Sequence, residues 1–163
     1  MNKPCKTLYL MAGIPASGKS TYARELAAAT NAIYISRDEI RFSLLGDAED
    51  YFAHETQVYN LFVMKVQDAL DRGYSCIADA THLNAASRNK LLNRLELGNT
   101  RVELIILDTP LAVCFERNEK RTGRAHVPSS AIRRMFMSFS SPTGEEAEKY
   151  DKITRIKEDH YDE

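Results

Sequence analysis

A glycine-rich segment near the start of the chain, GIPASGKST at residues 13–21, has the residue types and spacing of a phosphate-binding loop. In the pattern Gly-x4-Gly-Lys-Ser, backbone N–H groups cradle phosphate oxygens, and glycine permits the close approach. Lys19 is predicted to reach the outer phosphates, and the Ser20 hydroxyl to hold Mg²⁺. The motif predicts binding of ATP or GTP but leaves the reaction open. The residues expected to contact the nucleotide are Gly13, Ile14, Pro15, Ala16, Ser17, Gly18, Lys19, Ser20 and Thr21.

A carboxylate and an arginine follow the second predicted strand, in the segment SRDEIR that begins at Ser36. A helix that starts at Ser36 or Asp38 would place Asp38 and Arg41 three residues apart on one face. Phosphoryl transfer to an alcohol requires a carboxylate that orients the hydroxyl and accepts its proton, and cations where charge develops. Asp38 and Arg41 can supply both. The alternative is a helix-capping aspartate in a solvated ion pair.

The third predicted strand ends in IADAT, which places Asp79 where a strand end faces the phosphate loop. There Asp79 can hold a metal-bound water, and Thr81 can hydrogen-bond a phosphate or hydroxyl of an acceptor. The alternative is that Asp79 caps the next helix, but Asn84 is already placed to do so. This segment is therefore predicted to belong to the site.

A basic stretch, ERNEKRTGRAHVPSSAIRR, follows the fourth predicted strand. Arg117, Arg121 and Arg124 are spaced by four and three residues, so they share one face if the helix persists that far. A glycine and a proline then mark a break. We expect a small basic lid at about residues 117–128, which closes over the nucleotide, neutralises the transferring phosphoryl group and excludes water. A solvated basic face is the alternative.

The elements that position these residues alternate between strands and helices. Alternation of this kind implies right-handed crossovers and a parallel sheet with helices on both faces. Ligands of such a sheet bind beyond the carboxyl ends of its strands, where each segment above falls. Strands are predicted at 7–11, 32–36, 74–80 and 101–108, with an edge strand at 150–156, and helices at 21–30, 55–72, 85–97, 110–122 and 129–139.

Composition limits the class of protein. A length of 163 residues favours a single domain over residues 1–163, and a formal net charge of −1 argues against non-specific coating of nucleic acid. The three cysteines and four histidines match no metal or disulfide pattern. No apolar stretch approaches the ~20 residues that span a bilayer, and no signal peptide is evident, so we expect a cytoplasmic protein without membrane association.

Four segments occur in the order found in small P-loop kinases related to the phage polynucleotide 5′-hydroxyl kinase, and the chain resembles this family from about residue 7 to residue 139. The resemblance implies the α/β fold of P-loop NTPases and nucleoside-monophosphate kinases, a parallel sheet flanked by helices with a basic lid. It also implies dependence on ATP and Mg²⁺, a DNA or RNA end as acceptor, and copies of the chain that can associate. The four segments are GIPASGKST, SRDEIR, IADATHLNAASR and ERNEKRTGRAHVPSSAIRRMFMSF.

The resemblance further implies a role for each matching residue. The role of Arg124 at the nucleotide stays open, as does the choice between Ala80 and Thr81 as the acceptor contact. The phosphatase motif of the phage enzyme does not occur in this chain, so we expect no 3′-phosphatase activity. The implied roles are Lys19, Arg117 and Arg121 at the transferring phosphate, Asp38 as general base beside Arg41, Ser20 and Asp79 at the metal, and Arg37, Asp79 and Thr81 at the acceptor.

Two other functions remain open from the sequence. A kinase of the same superfamily with another alcohol acceptor, such as a nucleoside, a sugar, an antibiotic, a peptidoglycan precursor or a hydroxymethylated DNA base, fits the near-neutral charge. A nucleotide-binding switch or ATPase would transfer phosphate only to water and would leave Asp38 without a role.

Overall fold

A five-stranded parallel sheet, in the order β2-β3-β1-β4-β5, forms the centre of the computed structural model, which describes residues 5–157. Its strands are β1 Thr7–Ala12, β2 Ile33–Ser36, β3 Cys76–Asp79, β4 Arg101–Asp108 and β5 Lys152–Lys157. The helices are α1 Lys19–Thr30, α2 Arg37–Leu45, α3 Glu55–Asp71, α4 Ala85–Arg94, α5 Leu111–Glu119, α6 Ser129–Ser138 and α7 Gly144–Glu148. The structure confirms the predicted parallel α/β sheet and its edge strand β5, which pairs with β4.

The central strand β1 is buried on both of its faces, as expected for a strand of a parallel sheet. Leu8 and Leu10 belong to a core cluster that includes Phe62 of α3. Met11 lies on the opposite face, in a second cluster with Ala23 of α1. Each large apolar side chain buried in this way contributes about 1.5–3 kcal/mol, which fixes α1 and α3 against the sheet.

The register of the strands brings the ends of three strands together. Asp79, the last residue of β3, is level with Met11 in β1 and with Ser36 in β2. The phosphate loop, the start of α2 and the end of β3 therefore meet at one edge of the sheet. No helix in the described part of the chain, residues 5–157, has the length and apolar character needed to span a bilayer.

The basic stretch departs from the predicted helix. Helix α5 ends at Glu119 rather than at residue 122, because the side chain of Asn118 bonds both backbone groups of Val127 and folds residues 120–128 back onto the helix end. A short 3-10 turn at Gly123–Ala125 follows. The prediction that the three lid arginines share one helix face is therefore wrong for the two that lie beyond Glu119.

Candidate active site at the carboxyl edge of the sheet

The predicted phosphate loop connects β1 to the first turn of α1. Gly18 adopts a left-handed conformation, φ 94°, immediately before Lys19. Gly13 has no space for a side chain, because an added Cβ would lie 2.8 Å from Ser17 Oγ and 3.3 Å from Leu107 Cβ. Its amide donates to the carbonyl of Thr81 at 3.0 Å, which ties the loop to the segment after β3. The loop thus has the geometry that backbone binding of phosphate requires.

Asp79 joins the loop to the sheet through three side chains. Its carboxylate accepts a hydrogen bond from Ser20 Oγ at 2.8 Å and one from the hydroxyl of Tyr34, and it lies 3.2 Å from Lys19 Nζ. Burial raises the pKa of the Asp79 carboxyl, but the Lys19 ammonium and the two hydrogen bonds outweigh burial and hold the pKa below its ordinary value. Asp79 is therefore an anion at neutral pH.

The donor set at Asp79 fits a magnesium ion better than a transition metal. No group of three or more His, Cys, Asp or Glu side chains that could bind a metal occurs between residues 5 and 157. Asp79 Oδ1 is buried and forms the ion pair with Lys19 Nζ at 3.2 Å, and its second lone pair remains available as an acceptor beside the Ser20 hydroxyl. Mg²⁺ is usually bound by one or two protein oxygens, several waters and substrate phosphates, and Ser20 and Asp79 offer that number of oxygens.

Asp38 and Arg41 lie on one face of α2, as predicted, and their side chains are in contact. Ser36 caps the helix by accepting a hydrogen bond from the Glu39 amide, so Asp38 is not needed as the cap. Arg41 Nη1 donates to Asp38 Oδ1 at 2.6 Å. The Asp38 side chain is 85% exposed, whereas that of Arg41 is 9% exposed. A buried cation therefore holds an accessible carboxylate.

Glu55, at the first position of α3, fixes Arg41 from the other side. Both of its carboxylate oxygens accept hydrogen bonds from Arg41, at 2.6 and 2.7 Å, and one also accepts from Arg37 at 3.3 Å. Burial lowers the pKa of the Arg41 guanidinium, but the bonds to Glu55 and Asp38 raise it well above its ordinary value. Arg41 is a permanent cation in a defined position.

The remaining acceptor candidates lie at the end of β3. The side chain of Ala80 packs against the main core cluster, whereas the half-buried Thr81 binds Gly13 through its carbonyl. This packing favours Thr81 over Ala80 as the residue that can face an acceptor.

The structure separates the three lid arginines. Arg117 Nη1 donates to the carbonyl of Ala16 at 3.4 Å, so this arginine lies against the phosphate loop. Arg121 is exposed and donates to the Ala125 carbonyl within its own turn. Arg124 instead reaches the loop after α2, where it donates to the Ala48 carbonyl at 2.6 Å. Its predicted contact with the nucleotide stays a prediction.

Sequence reasoning missed three residues that organise this site. Tyr34 is the strand residue two positions before the helix cap Ser36, and Glu55 carried no signal beyond its place in a predicted helix. His82 follows the third strand in a loop, where no spacing pattern marks it, yet it is 5% exposed and its Nδ1 lies 2.6 Å from the Met11 carbonyl. Burial lowers the pKa of His82 to about 4, so its imidazole is neutral and Nδ1–H donates to that carbonyl.

A family model described as an AAA domain matches residues 8–142. The chain is 27% identical over 142 residues to an L-seryl-tRNA(Sec) kinase of Methanococcus maripaludis, a match that covers 83% of this chain and 53% of the relative. It is 26% identical over 147 residues to a proposed bifunctional polynucleotide kinase/RNA ligase of Autographa californica nuclear polyhedrosis virus, with 82% of this chain and 21% of the relative covered. The chain thus spans about half of the length of the first relative and about a fifth of the length of the second.

Solved structures agree with the fold. The structure of the Pnkp1/Rnl/Hen1 RNA repair complex matches with a TM-score of 0.73 and 25% identity, covering 92% of this chain and 48% of that chain. A sugar kinase from Janibacter sp. HTCC2649 matches with a TM-score of 0.67 and 18% identity, covering 94% and 86%. The fold is therefore that of P-loop kinases, whose acceptors differ among these proteins.

Proposed function

We propose that this chain, which belongs to the AAA-domain family and is a P-loop kinase, transfers the γ-phosphate of ATP to the 5′-hydroxyl end of a DNA or RNA strand. One observation carries the choice of a hydroxyl acceptor over water. The exposed carboxylate of Asp38 is held 2.6 Å from Arg41, which Glu55 fixes in turn, at the same sheet edge as the phosphate loop.

In this reaction Asp38 accepts the proton of the 5′-hydroxyl and directs its oxygen toward the γ-phosphorus. The new O–P bond forms as the bond between the γ-phosphorus and its bridging oxygen breaks, and ADP leaves with that electron pair. Arg41 keeps Asp38 in position and stabilises negative charge that develops on the transferring group.

On the donor side, the backbone of residues 13–18 and the Lys19 ammonium hold the phosphates of the nucleotide. Ser20 and Asp79 would hold Mg²⁺, which when bound neutralises phosphate charge. Arg117 already lies against the loop at the Ala16 carbonyl, and Arg121 extends from the exposed turn beyond it. Closure of that turn would bring Arg121 to the transferring group and exclude water.

The test is transfer of labelled γ-phosphate from ATP, with Mg²⁺, to oligonucleotides that carry a free 5′-hydroxyl. Asp38→Asn removes the base and is expected to lower the turnover at least a hundredfold. Asp71→Asn is the matched control, because Asp71 is an exposed aspartate at the distant end of α3. Equal activity of the two variants would reject Asp38 as the base.

A second candidate is a kinase for another alcohol. It is favoured by the sequence identity to a seryl-tRNA kinase, which at 27% is as high as the 26% identity to the polynucleotide kinase/RNA ligase relative. The same assay with nucleosides, sugars and seryl-tRNA separates the candidates, since turnover of one of these without turnover of oligonucleotides would favour the second.

A further inference from the structure

Three cations surround the ring of Tyr59, a residue of α3 that lies beside the acceptor residues. Arg37 comes from the first position of α2, and Lys90 and Arg94 lie four residues apart on one face of α4. The Lys90 Nζ is 4.3 Å from the ring centroid, and the guanidinium carbons of Arg37 and Arg94 are 5.2 and 5.8 Å from it. One helix, α4, and the start of another, α2, thus direct three positive charges toward one ring of α3.

The cavity at this place has an excess of positive charge. Its volume is about 170 Å³, and its lining is Arg37, Glu55, Thr56, Tyr59, Asn60, Lys90 and Arg94. Glu55 is the only carboxylate of that lining, and both of its oxygens already accept hydrogen bonds from Arg41. Arg94 has a further bond to the amide oxygen of Asn60 at 3.3 Å, and Lys90 forms no ion pair with any residue between 5 and 157.

Two buried donors at the cavity lack acceptors. Tyr59 is only 7% exposed, and its hydroxyl has no hydrogen-bond partner among residues 5–157. The same holds for the Nε–H of Arg37. A buried donor left unmet costs about 1–3 kcal/mol. The cavity therefore offers the positive charge that an oxyanion needs, and two of its lining residues carry unmet donors.

We propose that this cavity is a subsite for an internal phosphodiester of the nucleic-acid acceptor, beyond the nucleotide that carries the reacting hydroxyl. The inference rests on the proposed function and assigns Tyr59, Lys90 and Arg94 to acceptor binding. A chain of contacts joins this cavity to Asp38, the proposed general base. Asp38 contacts Arg41, and Arg41 and Arg37 both donate to Glu55. Arg37 in turn lies over the ring of Tyr59. A strand with its 5′ end at Asp38 can thus extend along α2 toward α4.

This subsite predicts the class of acceptor. A nucleoside or a neutral sugar carries no anion to place there, whereas an oligonucleotide of three or more residues has a second phosphodiester available. The Michaelis constant for the acceptor should therefore fall when a single-stranded acceptor is lengthened from a dinucleotide to a tetranucleotide.

The direct test is equilibrium binding of the full chain to a single-stranded, 5′-hydroxyl oligonucleotide with a fluorophore at its 3′ end, measured by anisotropy at several salt concentrations. Lys90→Gln and Arg94→Gln should each weaken binding about threefold. Each should also reduce the magnitude of the slope of log affinity against log salt by about 0.7, the value expected when one contact to a phosphate of a single strand is lost. Tyr59→Phe should weaken binding without changing the slope, because it removes a hydroxyl and no charge.

The matched controls are Lys152→Gln on β5 and Arg72→Gln at the end of α3, which remove the same charges from exposed positions elsewhere. Losses in the controls equal to those in the cavity variants would overturn the subsite, because general charge would then explain them. Transfer to oligonucleotides with unchanged binding in the cavity variants would also overturn the subsite and leave the kinase proposal standing. If the salt slopes of the Lys90 and Arg94 variants fall as expected but wild type transfers no phosphate to the oligonucleotide, the subsite is supported and the 5′-kinase is rejected. Absence of oligonucleotide binding by wild type would reject both.

Discussion

Replacing Glu55 by glutamine is expected to slow the kinase while leaving its nucleotide site intact. Glu55 accepts two hydrogen bonds from Arg41, at 2.6 and 2.7 Å, and Arg41 is the group that holds Asp38. A glutamine retains one acceptor but loses the charge, and its amide group presents a donor to a guanidinium that cannot accept. Arg41 should then leave the geometry in which it positions Asp38.

The magnitude follows from the exposure of the pair. A hydrogen bond to a charged group contributes about 1.5–3 kcal/mol. Because the Glu55 side chain is 37% exposed, solvent screening places the loss in unfolding free energy at the lower end, about 1.5 kcal/mol. The chain should therefore remain folded. A loss of about 1.4–2.7 kcal/mol at the transition state corresponds to a ten- to hundredfold decrease in kcat.

The assay is steady-state transfer to a 5′-hydroxyl oligonucleotide with ATP varied, combined with urea unfolding of each variant. The matched control is Glu103→Gln, which removes a carboxylate that pairs with Arg101 at 3.1 Å on β4. Glu55→Gln should lower kcat and preserve the KM for ATP, while the control should preserve both. A wild-type kcat in a folded Glu55→Gln variant would refute the view that Glu55 positions Arg41.

Three further predictions test other parts of the site. The pKa of His82 is about 4 in the folded chain, compared with an ordinary value of 6.5, so the unfolded chain binds more protons than the folded chain between pH 4 and pH 6.5. The free energy of unfolding should therefore fall by up to about 3 kcal/mol as the pH drops from 6.5 to 4. His82→Asn should remove this part of the pH dependence in urea titrations, and an unchanged slope would contradict the buried neutral imidazole. Gly13→Ala places a Cβ 2.8 Å from Ser17 Oγ and should weaken binding of a fluorescent ATP analogue at least tenfold, whereas unchanged affinity would contradict the close packing of the loop. Arg124→Ala removes the bond to the Ala48 carbonyl and should raise the KM for the oligonucleotide severalfold without changing that for ATP; the reverse pattern would place Arg124 at the nucleotide.

The elements and the donor side of the site were predictable because their signals are local. β4 was predicted with the bounds that the structure has, since an apolar run such as RVELIILD admits few other structures. The phosphate loop needs residue types at fixed spacing within nine positions. Asn84 was expected to cap α4 and does so through a reciprocal pair of bonds with Ser87. Each of these features depends on residues that are close to one another in the sequence.

The acceptor side depends on contacts between distant parts of the chain, which spacing alone does not indicate. Arg41 and Glu55 are 14 residues apart and meet only because α2 and α3 pack together. Lys90 reaches Tyr59 across 31 positions, from a helix whose place beside α3 no local pattern indicates. The end of α5 was mispredicted for a similar reason, since the bonds between Asn118 and Val127 redirect the chain against its helical pattern.

In the proposed reaction, Asp38 serves as the base for transfer to a nucleic-acid 5′-hydroxyl. Its most direct test is the single-turnover rate of γ-phosphate transfer from ATP to a 5′-hydroxyl oligonucleotide by wild type and by Asp38→Asn, each with ATP bound to saturation. We expect transfer by wild type and a rate at least a hundredfold lower for the variant, with equal affinity for ATP. Equal rates, or no transfer by a wild type that binds both ATP and the oligonucleotide, would contradict it.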